Sequence, residues 1–248
     1  MSAPHLLLWL EGPLQSWGTS AKFNRRTSQD FPSRSAILGM VCAALGAGGE
    51  QKELLATFAP LTQTVIAYTR RDKDGKAMDP EFQLEDFHMV GSGYDEKDPW
   101  QSLHIPKTSQ INGDGSQMPP KNVSGKILTY RYYLLDSSFA VALAIPETLR
   151  KDIEEAFVVP CWDISLGRKS CVPTEFVYQG IHDSMDLALV RADEIAEEKQ
   201  RAELFRVLDG VHDGEQLILS DVPLRFGPNK LYKERLVTVV ANDTGAAV

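Results

Sequence analysis

Four stretches of this sequence gather side chains that grip phosphate or stack on bases. In the first, spanning 15–26, Gln15, Trp17, Lys22, Arg25 and Arg26 set an amide, an indole and three cations in a polar loop. Trp17 has a second reading, an indole packed back on a sheet, and both stand. In the second, Ser33, Arg34 and Ser35 follow Phe31 and Pro32 at a helix start. Free backbone N–H groups there attract phosphate and Arg34 adds a bidentate grip, although an ordinary helix cap has the same residues. The third is Gly167, Arg168, Lys169 and Ser170, a glycine that lets the backbone approach a ligand beside two cations and a hydroxyl. The fourth surrounds a long polar excursion: His88 before it, Lys107 within it, Tyr130 and Arg131 after it.

Enzyme signatures are sparse by comparison. The sequence has no G-x-S-x-G, H-E-x-x-H or G-x-x-x-x-G-K-[ST], and no G-x-G-x-x-G opening a helix. Its five histidines are scattered, with no i, i+4 pair to bind a metal from one helix face. Three cysteines without C-x-x-C spacing argue against a disulfide framework or structural zinc, so reduced thiols and no cofactor are expected.

The elements that must position these groups follow from hydrophobic patterning. A buried first strand over 5–10 is followed by the polar loop, then a helix with Ile37, Leu38, Val41, Cys42 and Leu45 at helical spacing, stopped at Gly46. A short helix around Leu54, Leu55 and Phe58 precedes a strand over 65–69, and 82–88 is a weaker strand. The segment 89–125 holds five glycines and four prolines and far exceeds a typical loop of about 4–6 residues. Strands over 127–135 and 139–145 follow, then a helix opened by Pro146 with Leu149, Ile153 and Phe157 as its stripe. This order predicts an α+β fold, a modified ferredoxin-like sandwich with a long insertion and a less regular region beyond residue 160. With 248 residues and 43% hydrophobic content the chain can bury a core unaided. The net charge of −8 argues against bulk-charge coating of nucleic acid, not against a local basic groove. Nine acids against four bases in 191–221 predict a solvated acidic face. No apolar run approaches the ~20 residues that span a bilayer and no signal-peptide core is present, so a cytoplasmic location is expected.

Several blocks resemble the fifth CRISPR-associated family, with the best match to its CasD branch in type I-E Cascade. They are Leu8-Trp9-Leu10-Glu11-Gly12-Pro13-Leu14-Gln15-Ser16-Trp17-Gly18, Arg26, then Phe31-Pro32-Ser33-Arg34-Ser35-Ala36-Ile37-Leu38-Gly39. Asp86-Phe87-His88, Tyr130-Arg131-Tyr132-Tyr133-Leu134-Leu135-Asp136, Phe139-Ala140-Val141-Ala142-Leu143 and Leu166-Gly167-Arg168-Lys169-Ser170-Cys171 continue in the same order. The blocks span residues 8–171, and little is familiar beyond Cys171. The resemblance implies an RRM-like (ferredoxin-like) core over 1–88 and 126–160, a thumb over 89–125, and a C-terminal region, 161–248, carrying the Gly167 loop. It also implies a non-catalytic role in antiviral defence: holding the 5′ handle of the CRISPR RNA, capping a backbone of CasC-like subunits, and contacting a CasA-like large subunit. Target DNA would then be met only through the complex, its sequence read by guide pairing, a division of labour known from another RNA-guided effector.

Two alternatives stay open. One branch of that family cleaves precursor CRISPR RNA by metal-independent attack of a ribose 2′-OH, for which His88, His104, Lys107 and Tyr130 would have to serve, although no compact Lys-His pair occurs. The other is a general RNA-binding module with steep salt dependence and no preference for a handle sequence.

Overall fold

The computed structural model describes residues 3–18, 24–81, 83–90, 97–102, 107–108, 121–122 and 127–242. The elements that frame the fold are β1 (His5–Glu11), α1 (Arg34–Leu45), α2 (Lys52–Phe58), β2 (Gln63–Arg70), β3 (Leu84–Val90) and β4 (Ile127–Leu135). After them come β5 (Ser138–Ala144), α3 (Arg150–Val158), β6 (Tyr178–His182), α4 (Met185–Glu198), β7 (Arg201–Asp209), β8 (Glu215–Arg225) and β9 (Leu231–Ala241). One seven-stranded sheet runs in the order β6-β1-β5-β2-β7-β9-β8, with antiparallel neighbours throughout.

The central strands are apolar on both faces because helices cover both. From β1, Leu6, Leu8 and Leu10 pack with Ile37, Leu38 and Val41 of α1, Leu55 and Phe58 of α2, and Ile153 and Phe157 of α3. Leu7 and Trp9 point the other way, joining Ile66, Tyr68 and Ala140 beneath Ala192, Ile195 and Ala196 of α4. Helix α1 starts where Ser33 accepts a hydrogen bond from the Ala36 N–H at 3.3 Å, and ends at Gly46 in the left-handed region (φ 67°). After Pro146 a 3-10 turn, Glu147–Leu149, leads into α3.

The C-terminal half differs from expectation. Instead of an irregular region, α4 and three long strands follow β6, and β7 pairs directly with β2, so they extend the same sheet. Their alternation is obscured in the sequence by register shifts between Glu203 and Phe205, Leu219 and Val222, and Pro223 and Arg225. Nor do the acids of 191–221 form a purely solvated face, since Asp221 is 5% exposed and Asp209 is drawn into an ion cluster with it. Among the described residues no helix is long and apolar enough to cross a membrane.

That cluster joins the two halves. The Arg235 guanidinium donates to both Asp221 oxygens at 2.7 and 2.9 Å and also to Asp209, while Arg34 Nη1 lies 3.6 Å from Asp209 Oδ2. Arg34 Nη2 donates to the Phe58 carbonyl at 2.8 Å and to the Leu61 carbonyl. Asp209 also accepts from the Gln63 N–H at 2.9 Å, tying β7 to the start of β2. Burial draws the Arg34 guanidinium below its usual pKa, opposed by the charge of Asp209.

All three cysteines are unpaired. Burial pushes the Cys42 thiol up to about 11 and raises Cys171 as well, whereas Cys161 is exposed. A thiol reagent on the native chain is expected to modify Cys161 quickly and the other two only on unfolding; fast modification of a second thiol would contradict the packing. Arg34→Ala should lower the unfolding free energy in urea by about 3–5 kcal/mol, because it strands buried charge. A loss below about 1 kcal/mol, the range of surface pairs, would show that the cluster does not hold the halves together.

Candidate nucleic-acid interface

Strands β3 and β4 pair antiparallel in a ladder apart from the main sheet, with Tyr130 opposite Phe87 and Arg131 opposite Asp86. Two short segments pin β4 on its other edge. Leu14–Gln15 pairs antiparallel with Leu134 and Leu135, and Arg25–Arg26 runs parallel, Arg25 beside Tyr130 and Arg26 beside Arg131. Residues in register share a face, so the alternation of β4 sorts its neighbours into two sets.

On one face, the Arg25 guanidinium lies 5.4 Å from the Tyr130 ring centroid, and Phe87 sits 5.3 Å from the same ring. Phe87 is 51% exposed and Met89 48%, so this face presents aromatic and apolar surface. The Tyr132 hydroxyl donates to the Glu85 carboxylate, which holds the phenol above its usual pKa. On the other face, Arg26 and Arg131 stand side by side. Arg168 joins them, stacked 4.7 Å over the Tyr133 ring, its Nη2 donating to the Arg26 carbonyl at 2.9 Å. Among the described residues, no carboxylate pairs with Arg26, Arg131, Arg168 or Lys169. Asp86 is instead 4.0 Å from His88 Nε2. Such a cluster can bind phosphate oxygens, and the aromatic face can stack a base.

The structure therefore brings together Arg25, Arg26, Tyr130, Arg131, Gly167 and Arg168, with exposed Lys169 and Ser170 adjoining and exposed His88 on β3. The other candidates lie elsewhere. Gln15 is 0% exposed and donates to the carbonyls of Leu10 and Ser137 at 3.2 and 2.6 Å, tying β1 to the β4–β5 turn. Trp17 is also fully buried in the main core, which settles its two readings for packing. Ser33 is spent as the α1 cap, and its hydroxyl lies 3.2 Å from that of half-buried Ser35. Arg34 is 3% exposed, and the helix N-terminus expected to attract phosphate already holds Asp221, whose Oδ2 accepts from the Arg34 N–H at 2.8 Å. These buried placements correct the expectation that Gln15, Trp17, Ser33 and Arg34 face a ligand. Lys22 lies outside the described residues, and Lys107 is on the short strand Lys107–Thr108, paired with Lys121–Asn122.

Gly167 has a different reason from the one expected. With φ +88°, an added Cβ would sit 1.9 Å from the Ser16 carbonyl oxygen, so the backbone it approaches is the chain's own. Ser16 N–H donates to the Leu166 carbonyl at 3.0 Å, and Ser16 Oγ donates to the Tyr132 carbonyl at 2.9 Å. Three distant segments thus meet at Ser16, which sets Arg168 over Tyr133. Tyr133 and Phe87 were absent from the sequence-based candidates. Their signal, odd and even positions alternating along β4 and β3, is meaningful only once the pairing is known.

Cations and aromatics on a β-ladder that pairs apart from an antiparallel α+β sheet are side chains of the kinds that can contact nucleic acid. The family described as CRISPR-associated protein (Cas_Cas5) matches residues 5–238, and the chain belongs to that family. It is 26% identical over 185 residues, 73% of each chain, to the CRISPR system Cascade subunit CasD of Escherichia coli (strain K12). A chain in a solved CRISPR RNA-guided surveillance complex is similar at 28% identity and a TM-score of 0.64, over 96% of this chain and 90% of that one. A solved Cas protein at 21% identity shares the fold, with a TM-score of 0.54 over 96% and 94% of the two chains.

Gly167→Ala combines a left-handed backbone, which costs an L-residue about 1–2 kcal/mol, with overlap on Ser16. It is expected to lower the melting temperature and, in NMR spectra, to shift the Tyr133 ring signals as Arg168 leaves its stack. Unchanged spectra would show that the loop is not seated on Ser16.

Proposed function

We propose that this chain is a non-catalytic, RNA-binding subunit of a type I-E CRISPR Cascade, holding the repeat-derived 5′ handle of the CRISPR RNA. The observation that carries this reading is the convergence of Arg26, Arg131 and Arg168 on one face of the β3–β4 ladder, in a chain of the Cas_Cas5 family. Similarity to CasD and to a chain of an RNA-guided surveillance complex supports it. On this reading the guanidinia hold handle phosphates, and Tyr130, Arg25 and Phe87 offer a stacking surface for an unpaired base. The chain caps a backbone of CasC-like subunits, adjoins a CasA-like subunit, and meets target DNA only through the assembly.

We read the strand order β6-β1-β5-β2, with α1 and α3 as crossovers, as the split βαβ arrangement of a ferredoxin-like, RRM-like core. The insertion over 89–125 is then the thumb. A net charge of −8 fits a subunit that gains affinity from several surfaces at once and needs only a local basic patch.

The test is anisotropy titration of a labelled handle RNA, with a scrambled RNA of equal length, across a range of salt. Arg131→Ala should weaken handle binding about tenfold at unchanged melting temperature, and reduce the log–log salt slope by about 0.7 for one lost single-strand phosphate contact. Equal affinity for both RNAs would favour a general RNA-binding module. Metal-independent cleavage of repeat RNA by the purified chain would overturn the non-catalytic assignment.

A further inference from the structure

A cavity of about 350 Å³ opens between residues 78–81 and 83 and the end of the main sheet. Its floor is apolar, formed by Leu134, Phe139 and Phe205 among others, with Leu134 and Phe139 7% and 3% exposed. Its rim carries Asp30, Asp79 and Glu81. The rim cation Arg70 is already matched by Asp136 at 3.2 Å. Asp30 accepts a hydrogen bond from Gln83 Nε2 at 2.7 Å, and among the described residues none of Asp30, Asp79 and Glu81 has a cationic partner.

An apolar floor beneath three unneutralised carboxylates selects its occupant by charge. Phosphate is repelled, whereas a long aliphatic stem ending in a cation satisfies floor and rim together. We propose that this cavity receives a lysine or arginine side chain from a neighbouring protein subunit. The volume suits one such side chain with its flanking backbone. The chain thereby separates its partners by sign, a polyanion on the arginine face of the β3–β4 ladder and a basic protein segment at this cavity. The proposal rests on the reading of this chain as a subunit of an assembly, but not on its RNA contacts.

The test titrates the full chain with n-butylguanidinium, an arginine side-chain mimic, and with n-butylurea, its neutral counterpart of similar shape. The NMR signals of Leu134, Phe139 and Phe205 report occupancy. Saturable shifts with butylguanidinium, about tenfold tighter than with butylurea, are expected, since two or three rim charges at surface strength amount to that ratio. The preference should vanish in Asp79→Asn combined with Glu81→Gln, both exposed positions. In particles assembled in the cell, a photo-crosslinker replacing Glu81 should join a protein segment containing lysine or arginine. Equal response to the two ligands, no saturable response, or a crosslink to RNA in place of protein would each overturn the proposal. Loss of handle binding in Arg131→Ala with no guanidinium preference would leave the RNA reading intact and sink this one alone.

Discussion

The buried charges of Arg34, Asp209, Asp221 and Arg235 are the constraint on which the rest of this structure depends. They come from α1, the end of β7, β8 and β9, and they also reach the carbonyls of Phe58, at the end of α2, and Leu61, and the first N–H of β2. Taking such groups out of water is costly, and the cost is met only when every partner is in place with good geometry. The cluster therefore acts as a unit, since its members come from both halves of the chain and each is held by the others. With Asp221 at the start of α1, the protein supplies its own anion where a ligand would otherwise bind.

This internal use of charge leaves a second group of arginines for the surface. The β3–β4 ladder is set off from the main sheet and held at its root by Leu14–Gln15 and Arg25–Arg26, themselves anchored by buried Gln15, Ser16 and Trp17. Fully buried residues of the first loop thus position the exposed ones. Gln15 ties the first loop to β1 and to the β4–β5 turn, and Trp17–Gly18 pairs with Ser28–Gln29, just beyond Arg25–Arg26.

Where burial on both faces made residues apolar, the sequence was easy to read. β1, β2 and β5 stood out as apolar runs, and α1 was bounded by Ser33 and Gly46, whose capping roles hold. Strands β7 to β9 were illegible because bulges break their alternation and charged residues line them, some for the ion cluster and some for solvent. Arg34 is ambiguous in the sequence for a specific reason: a serine-capped helix start followed by arginine looks the same whether a phosphate or the chain's own Asp221 completes it. The candidate face is visible in the sequence as composition and not as an assembly. Nothing local announces that Arg25–Arg26 pairs in parallel with residues a hundred positions away, or that Gly167 is required by Ser16.

The pairing at the root of β4 has a consequence for how this protein can diverge. Because side chains alternate, a one-residue slip of β4 would carry Tyr130 to the face of Arg131 and exchange ring for charge. That slip is resisted from both edges and from the turn, where Asp136 adopts φ 44° and its N–H donates to the Pro13 carbonyl. Register is thereby decoupled from the length of the chain between the two strands. The sorting of ring from charge is set at this base and along both edges, so a change in any one of the three pairings is borne by the other two.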